Sequence, residues 1–502
     1  MSDVCLILEG TYPYVTGGVS SCVYQLIKAT PHLNYSIFYI GANQEGVGEY
    51  RYPIPANVRI IKKVFLFDYS LEGKMKKLGH KFDPEMILNF HKDIQNKTTK
   101  SFGPIFDKYF DPESRVLDPF DFLQSEESWN LLEKLYQKRF NPIDAPSFID
   151  YFYTWRFTHY PIFKILTSEL PKADVYHAMC TGYAGLAGVM ARHKFRRPFI
   201  LTEHGIYSHE RRIEILQSQW LYNTDNDIRA RRQLPIFKDW WIKVFEYLGL
   251  LAYQQADQIT TLFEGNRQKQ ISMGAPPEKA KLIPNGVDYP YFSGLAKLPR
   301  TSKRLNIALV GRVVPIKDIK TFIKAIAFVK ERFDNISVEV IGPTEEDEAY
   351  YADCLQMVTI LGLEDVVKFT GKVNVADVYP RLDLLVLSSI SEGQPLVILE
   401  AFCQGVPVVS TDVGSCRELI FGMNSDDKAL GASGDVVPFG RADLMGQSIL
   451  KLLTDDNLRT QMGETAKTRV EAYYQEKISV GNYLSLYNEF FADRFWYGRN
   501  RI

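Results

Sequence analysis

Residues 305–312 read LNIALVGR, an apolar strand that ends in a glycine and a cation. This stretch opens a regular alternation. It predicts strands at 305–310, 337–341, 366–370, 383–387 and 406–410, with helices at 318–333, 347–361, 374–381, 396–404 and 441–453. Strands that alternate with helices form parallel sheets, because a crossover between parallel neighbours needs a helix. We therefore predict a doubly wound, Rossmann-like domain over residues 301–475.

The first half of the chain begins with the same pattern. A strand at 4–9 leads into a glycine-containing loop and a helix at 19–28, and further strands are expected at 35–40, 58–64, 174–177, 198–202 and 258–262. Residues of about 66–165 lack this alternation, which predicts a helical insertion, and a second helical stretch is expected at 208–256. The sequence thus predicts a second Rossmann-like α/β domain over 1–300.

The two predicted domains should bind their ligands at one place. Open α/β sheets hold ligands at the carboxyl ends of their strands, so we expect the domains to face a central cleft. A polar linker is expected near 299–304, and the aromatic tail at 476–502 is expected to pack back on the first domain.

Composition excludes several classes of protein. The chain has 502 residues and a formal net charge of −1, which argues against a cationic nucleic-acid binder. Its six cysteines form no CxxC pair, so a zinc site or a disulfide framework is not expected. No run of 18 or more apolar residues occurs, and we expect a soluble, cytoplasmic protein.

Two short motifs are candidates for phosphate binding. Gly17-Gly18 stands before a predicted helix, where backbone N–H groups attract anions, although a plain tight turn explains the pair equally well. The spacing is not GxGxxG, so a dinucleotide site is not supported. Arg312 and Lys317 follow the strand at 305–310, where two cations can neutralise a diphosphate, but a solvated loop would carry the same residues.

The stretch 391–400, SEGQPLVILE, carries two glutamates eight residues apart. Glu392 falls in the loop and can sit near a sugar. Glu400 lies about one turn into the following helix and can accept hydrogen bonds from a ribose diol. The backbone of Gly393, Gln394, Pro395 and Leu396 opens that helix, so its free N–H groups can hold a phosphate. The alternative is a capping glutamate followed by a surface glutamate.

Two histidines are expected at strand ends. His177 and His204 can each hydrogen-bond a sugar hydroxyl, although a satisfied structural histidine is the commoner case. Glu203 and His209 are weaker candidates.

Taken in chain order, these motifs resemble the family 4 retaining glycosyltransferases, which have the GT-B fold. The resemblance rests on Gly17-Gly18-Val19, the segment 283–288 (IPNGVD), Gly311-Arg312 with Lys317, and Glu392 through Glu400. Residues 7–20 (ILEGTYPYVTGGVS) and 202–207 (TEHGIY) narrow it to the glycosyltransferases of bacterial Pel exopolysaccharide synthesis, which are also similar in their long insertion.

The resemblance implies a role for each motif. Arg312 and Lys317 would bind the nucleotide diphosphate, Glu392 the donor sugar and Glu400 the ribose. The glycine loop and the start of the helix would complete the donor site, with Gly17, Gly18, Gly393, Gln394, Pro395 and Leu396. The catalytic candidates are Glu392, His204 and His177. Gln394 stands where such enzymes often have Phe or Gly, and Met179 where they often have a second histidine.

The same resemblance implies the partners. The donor would be UDP-glucose or a UDP-N-acetylhexosamine, the acceptor a growing glycan, and the setting an inner-membrane polysaccharide synthase complex. The chain has no DxD motif, and no metal or other cofactor is expected. Two alternatives stay open, a non-catalytic scaffold that holds a sugar nucleotide and a UDP-sugar epimerase. The intact site residues favour an enzyme over the scaffold, and the segment 284–288 favours a transferase over the epimerase.

Overall fold

The structure is a computed structural model that describes residues 1–45, 47–68, 77–78, 82–140, 145–217, 228–297 and 304–492, with the side chains of 228–235 left aside. The chain divides into two compact units. The first comprises Met1–Thr261, Arg267–Lys281 and the described residues from Ser485 onward, and the second Leu262–Asn266 and Leu282–Leu484. Most of the predicted linker and the predicted boundary at 300/301 lie outside the described residues.

A seven-stranded sheet forms the centre of the first unit. Its strands are ordered β3-β2-β1-β4-β5-β6-β7, and every register given for β1 to β6 is parallel. The strands are β1 Ser2–Glu9, β2 Tyr35–Gly41, β3 Val58–Phe65, β4 Ala173–Ala178, β5 Phe199–Glu203, β6 Gln258–Thr261 and β7 Ala280–Leu282. The interior of β1, Val4 to Leu8, is fully buried, as expected of a parallel strand covered on both faces.

Helices cover this sheet and form the predicted insertion. Beside the sheet lie α1 Gly18–Ala29, α7 Gly182–Phe195, α8 Tyr207–Gln217, α9 Ile228–Gln255 and α10 Glu264–Ser272. The insertion contains α2 Pro84–Asn96, α3 Phe102–Ile105, α4 Pro119–Leu123, α5 Glu126–Arg139 and α6 Phe148–Leu166. Asp83 and Ser125 begin α2 and α5 because their side chains accept hydrogen bonds from backbone N–H groups of the first turn.

The second unit is built on a six-stranded parallel sheet. Its order is β10-β9-β8-β11-β12-β13. The strands are β8 Leu305–Val310, β9 Ile336–Ile341, β10 Val367–Gly371, β11 Leu384–Leu387, β12 Val408–Thr411 and β13 Gly434–Val437. The two separate apolar clusters of this unit show that its sheet is packed in a doubly wound manner. The predicted α/β class with two doubly wound sheets is confirmed, and so is the helical insertion.

Four of the five helices predicted for the second unit are present, as α12 Ile319–Lys330, α13 Glu348–Ile360, α14 Leu396–Cys403 and α17 Ala442–Thr454. This unit also contains α11 Tyr289–Ser293, α15 Cys416–Phe421, α16 Ser425–Ala429 and α18 Asp456–Tyr473, and α19 Glu476–Ala492 begins in it and ends in the first unit. The helix predicted at 374–381 is wrong, because this segment forms two 3-10 turns, Val375–Asp377 and Tyr379–Arg381. Pro380 explains the break, since it lacks an N–H group and disfavours helical geometry at the residue before it.

Two further features complete the fold. The predicted tail begins with α19, and residues 493–502 lie outside the described part. Among the helices of the described ranges, none is both long and apolar enough to cross a membrane.

Candidate active site

The carboxyl ends of β8 and β11 lie side by side, because these two strands pair in parallel. The loops that follow them are tied together by two hydrogen bonds. The N–H of Ile390 donates to the carbonyl of Ile316 (2.9 Å), and the Ser388 hydroxyl donates to the carbonyl of Lys317 (2.8 Å). The sheet therefore brings two of the predicted motifs to one edge.

Lys317 and Glu392 form an ion pair at this edge. Lys317 Nζ lies 2.5 Å from Glu392 Oε1, which also accepts a hydrogen bond from the Ser389 hydroxyl at 2.6 Å. The exposed fractions of the two charged side chains are 19% and 13%. A pair so withdrawn from solvent is screened only weakly, so its two charges strongly influence each other.

Arg312 has a more open environment. Its guanidinium lies 2.5 Å from Glu346 Oε1, and the exposed fractions are 53% for Arg312 and 50% for Glu346. Such surface pairs are held by little free energy, so the guanidinium can exchange partners. The sequence analysis did not select Glu346, because no sequence motif connects it with Arg312.

Helix α14 begins at the same edge, after Pro395. No side chain caps its first N–H groups by a hydrogen bond. The loop before it packs against Gly414. The φ of Gly414 is +54°, and the backbone of Gly414 approaches this loop so closely that no side chain would fit. An added Cβ would lie 2.3 Å from the carbonyl oxygen of Glu392 and 2.4 Å from that of Gly393. The start of α14 is thus an uncapped helix terminus, a type of site that favours anions.

Glu400 lies inside α14 and contacts Tyr379, which the sequence analysis missed. The buried Tyr379 hydroxyl donates to Glu400 Oε2 at 2.6 Å. Burial raises the pKa of Glu400, and the hydrogen bond from Tyr379 partly offsets that rise. This half-buried carboxylate has one described side-chain donor, and its contact with a ribose stays a prediction.

Gln394 holds another predicted motif in place. Its Oε1 accepts from the N–H of Asn285 (2.8 Å), and its Nε2 donates to the carbonyl of Asn285 (3.2 Å). The side chain is buried and its amide is engaged by the backbone of the segment 283–288. The predicted contact of Gln394 with a donor stays a prediction.

Gly17 and Gly18 stand at the start of α1 in the first unit. Both are exposed, and an added Cβ at either would meet no atom within 4 Å. Gly17 has an extended backbone, with a φ of 163°, which any residue can adopt. Neither packing nor backbone strain therefore accounts for this glycine pair, and its contact with a ligand stays a prediction.

His177 lies inside the sheet of the first unit. It is fully buried, its Nδ1 is 2.7 Å from the Tyr487 hydroxyl, and its Nε2 is 2.7 Å from the Thr202 hydroxyl. Burial lowers its pKa to about 3, so the ring is neutral at pH 7. Contact with a sugar would require the ring to leave both partners, which makes a positioning role the better interpretation of the geometry.

Glu203 ends β5, and His204 follows it. Burial lowers the pKa of His204 to about 4, so this ring is also neutral at pH 7. Glu203 is fully buried, and it accepts hydrogen bonds from Tyr253, Gln270 and Thr181 side chains and from the Tyr207 backbone. Burial raises the pKa of Glu203 despite these donors. The weaker candidate His209 lies exposed on α8.

Glu9 is a further carboxylate that the sequence analysis did not select. It ends β1 and accepts hydrogen bonds from the N–H groups of Tyr183 (3.0 Å) and Ala184 (3.3 Å) at the start of α7. The Tyr207 hydroxyl donates to its other oxygen at 2.5 Å. Glu9 therefore occupies the anion-binding end of α7 with a protein carboxylate.

Within the described ranges, no group of three or more His, Cys, Asp or Glu side chains is arranged to hold a metal ion. Metal independence itself stays a prediction.

Comparison with known families divides the chain close to the boundary between the two units, near residue 281. Residues 2–278 match a family described as "Domain of unknown function (DUF3492)", and residues 295–469 match "Glycosyl transferases group 1". The motifs at Arg312, Lys317, Glu392 and Glu400 all fall in the second match.

The curated relatives are sugar transferases. A D-inositol 3-phosphate glycosyltransferase of Kineococcus radiotolerans is 28% identical over 240 residues, which cover 44% of this chain and 54% of the relative. The capsular polysaccharide biosynthesis glycosyltransferase CapM of Staphylococcus aureus is 27% identical over 275 residues, 50% of this chain and 68% of the relative. The chain spans about half the length of the first of these curated relatives.

Solved structures share the fold at low identity. HepE of Anabaena, solved in complex with UDP, superposes with a TM-score of 0.57 and 14% identity over 97% of this chain and 100% of its own. Sucrose-phosphate synthase from Thermosynechococcus elongatus gives a TM-score of 0.56 and 15% identity over 97% and 99%. These neighbours establish a GT-B fold. The chain belongs to the DUF3492 family, whose match covers more than half of it, and residues 295–469 are similar to the group 1 glycosyl transferases.

Proposed function

We propose that this chain is a retaining glycosyltransferase that moves a sugar from a UDP-sugar, UDP-glucose or a UDP-N-acetylhexosamine, to a growing glycan. The observation that supports it most is the cluster of Lys317, Glu392 and the start of α14 at one sheet edge, with Glu400 one turn further along the helix. It lies in the part of the chain that matches the group 1 glycosyl transferases.

The cluster fits a donor diphosphate. Lys317 and Arg312 supply positive charge, and the uncapped N–H groups of α14 add the positive end of a helix dipole. When a diphosphate binds, it can replace Glu392 as the partner of Lys317, which frees the carboxylate to accept a hydrogen bond from the donor sugar. The charge of the departing phosphate is then stabilised by fixed groups, without a metal ion.

The reaction balances without a protein base. The acceptor oxygen forms a bond to the anomeric carbon of the sugar while the bond from that carbon to the UDP oxygen breaks. The proton of the acceptor hydroxyl passes to the departing phosphate oxygen. His204 and His177 would act as positioning residues, because His177 is fully buried between two hydroxyl partners and both rings are neutral at pH 7.

The names of the relatives are consistent with this donor and this setting. HepE was solved with UDP and glucose, and CapM takes part in capsular polysaccharide synthesis. The motifs at 7–20 and 202–207 resemble PelF, so we place the chain in Pel-type exopolysaccharide synthesis. The same resemblance supports a cytoplasmic enzyme that partner proteins recruit to an inner-membrane synthase complex.

Release of UDP from UDP-glucose, UDP-N-acetylglucosamine and UDP-N-acetylgalactosamine, with and without glycan acceptor, tests the proposal. We expect acceptor-dependent release with one donor and an α-linked product from an α-linked donor. The matched control is Glu392→Gln, in which we expect slower release of UDP. Binding of UDP-sugars without any turnover would instead favour the non-catalytic scaffold, and conversion of one UDP-sugar into another without UDP release would favour the epimerase.

A further inference from the structure

The helical insertion contains a large groove that none of the predicted site residues lines. It has a volume of about 950 Å³ and is formed by α2, α5, α6 and α9. We call it the insertion groove; its lining residues include Leu88, Lys92, Leu131, Lys134, Leu135, Lys138, Arg139, Trp155 and Trp240. Pockets that bind small molecules usually occupy about 300–1,000 Å³, so the groove is large enough for a sizeable ligand.

The floor of the insertion groove is apolar. Leu131, Trp155, Phe237 and Trp240 are buried beneath it. Leu88 and Leu135 are partly buried and pack against the same core. An apolar floor of this extent favours a ligand with a substantial apolar part, because burying that part removes it from water.

The groove is also strongly basic. Lysines and one arginine from three helices line it, namely Lys92, Lys134, Lys138, Arg139 and Lys243. Lys243 is paired with Asp239 at 2.8 Å, whereas no described carboxylate lies within ion-pair distance of Lys134, Lys138 or Arg139. Glu127 is the carboxylate among the lining residues, and its Oε1 accepts a hydrogen bond from the Leu78 backbone.

The cations of α5 lie in the second half of that helix. Glu127, Asn130 and Leu131 line the groove from its first half, and Lys134, Leu135, Lys138 and Arg139 line it from its second half.

The cations of α5 are therefore separate from the start of that helix. On α2, Lys92 lies in the second half, whereas Pro84 and Leu88 line the groove from the first half. Between Glu127 and Arg139 the groove extends for about 18 Å, at 1.5 Å per helical residue.

We propose that the insertion groove binds a single anionic lipid of a bilayer, with its phosphate headgroup among Lys134, Lys138 and Arg139 and part of its chain along the apolar floor. The polarity of the groove favours this ligand. An acidic amphipathic helix would present carboxylates along its whole length, whereas the three cations of α5 all lie in its second half. A small inorganic anion would leave the floor unused.

Vesicle flotation with the full-length protein tests this site. We expect binding to phosphatidylcholine vesicles that contain phosphatidylglycerol and none to vesicles of phosphatidylcholine alone. Lys134→Gln/Lys138→Gln should weaken that binding about 25-fold, at roughly fivefold for each lysine near an anionic surface. The matched control is Lys368→Gln/Lys372→Gln, which removes the same charge from exposed positions of the second unit and should bind like the unaltered protein.

A second measurement separates a lipid from its headgroup. Calorimetry should detect dihexanoylphosphatidylglycerol below its critical micelle concentration, and glycerol phosphate should bind at least tenfold more weakly. Equal losses in the two double variants would overturn the proposal, because binding would then follow net charge alone. Equal affinity for the lipid and for glycerol phosphate would also overturn it. So would binding of an acidic amphipathic peptide with no binding of lipid, which would make the groove a protein-docking site.

Discussion

Lys317 and Arg312 should be separable by experiment, although both are proposed to bind the diphosphate. We expect Lys317→Ala to reduce both UDP affinity and stability, and Arg312→Ala to reduce UDP affinity alone. The reason is their different surroundings. Lys317 pairs at 2.5 Å with a carboxylate that is 13% exposed, whereas both partners of the Arg312–Glu346 pair are about half exposed.

The magnitudes follow from that difference. Removing one partner of a fully buried pair costs about 3–5 kcal/mol of unfolding free energy. Since Lys317 and Glu392 keep some contact with water and Ser389 still donates to Glu392, we expect about 1–3 kcal/mol. For Arg312→Ala we expect about 0–1 kcal/mol. Each variant should lose about 1.5–3 kcal/mol of UDP binding, or roughly tenfold to 150-fold in Kd.

A double variant separates the two effects of Lys317. Lys317→Ala/Glu392→Gln removes both charges of the pair, so it should recover most of the lost stability but none of the UDP affinity. Denaturant unfolding measures the first quantity and titration calorimetry with UDP the second. Unchanged UDP affinity in both single variants would refute the assignment of these cations to the diphosphate. Recovery of UDP affinity in the double variant would show that Lys317 acts only by holding Glu392.

Three further results are expected. Glu400→Gln should weaken the binding of UDP and of the UDP-sugar to the same extent. Glu392→Gln should leave UDP affinity nearly intact and lower the turnover of the UDP-sugar. Loss of UDP binding in Glu392→Gln would contradict this division of roles. Turnover should persist in excess EDTA, and a strict requirement for added magnesium or manganese would count against the proposed site. The unfolding free energy should decrease as the pH falls from about 6.5 towards 4. The reason is that burial lowers the pKa of His177 to about 3 and that of His204 to about 4 in the folded protein. Histidine in the unfolded chain titrates near 6.5. Below pH 6.5 the unfolded chain then binds more protons, and a flat profile in denaturant titrations would contradict the lowered pKa values of these two histidines.

Most of the fold could be predicted from the sequence, because the parallel strands are continuous apolar runs between helices. Strands at 305–310 and 383–387 reappear as β8 and β11 within one residue at either end. The error at 374–381 arose where apolar spacing suggested a helix and Pro380 prevented one. The short strand β13, Gly434–Val437, was missed because its four residues include a glycine and an aspartate.

The candidate site was readable where its residues follow strands of one sheet. Lys317 and Glu392 come after β8 and β11, so strand pairing alone brings their loops together. The ion pair between them was not foreseen, since it depends on how each loop turns. Tyr379 was missed for the same reason, because its hydroxyl reaches Glu400 from a 3-10 turn that was predicted as a helix.

The roles of the carboxylates in the first unit could not be predicted from sequence motifs. Glu9 and Glu203 both end strands of the sheet, in the same kind of position as a catalytic residue. Their hydrogen-bond donors come from distant parts of the chain, with Tyr253 and Gln270 on Glu203 and Tyr207 on Glu9. Spacing along the sequence contains no information about such partners. Whether such a side chain is structural or binds a ligand can be decided only by counting the hydrogen-bond donors that the folded chain supplies to it. By that count the hydrogen-bonding capacity of Glu203 is used by the protein, whereas Glu400 can accept further hydrogen bonds from a ligand.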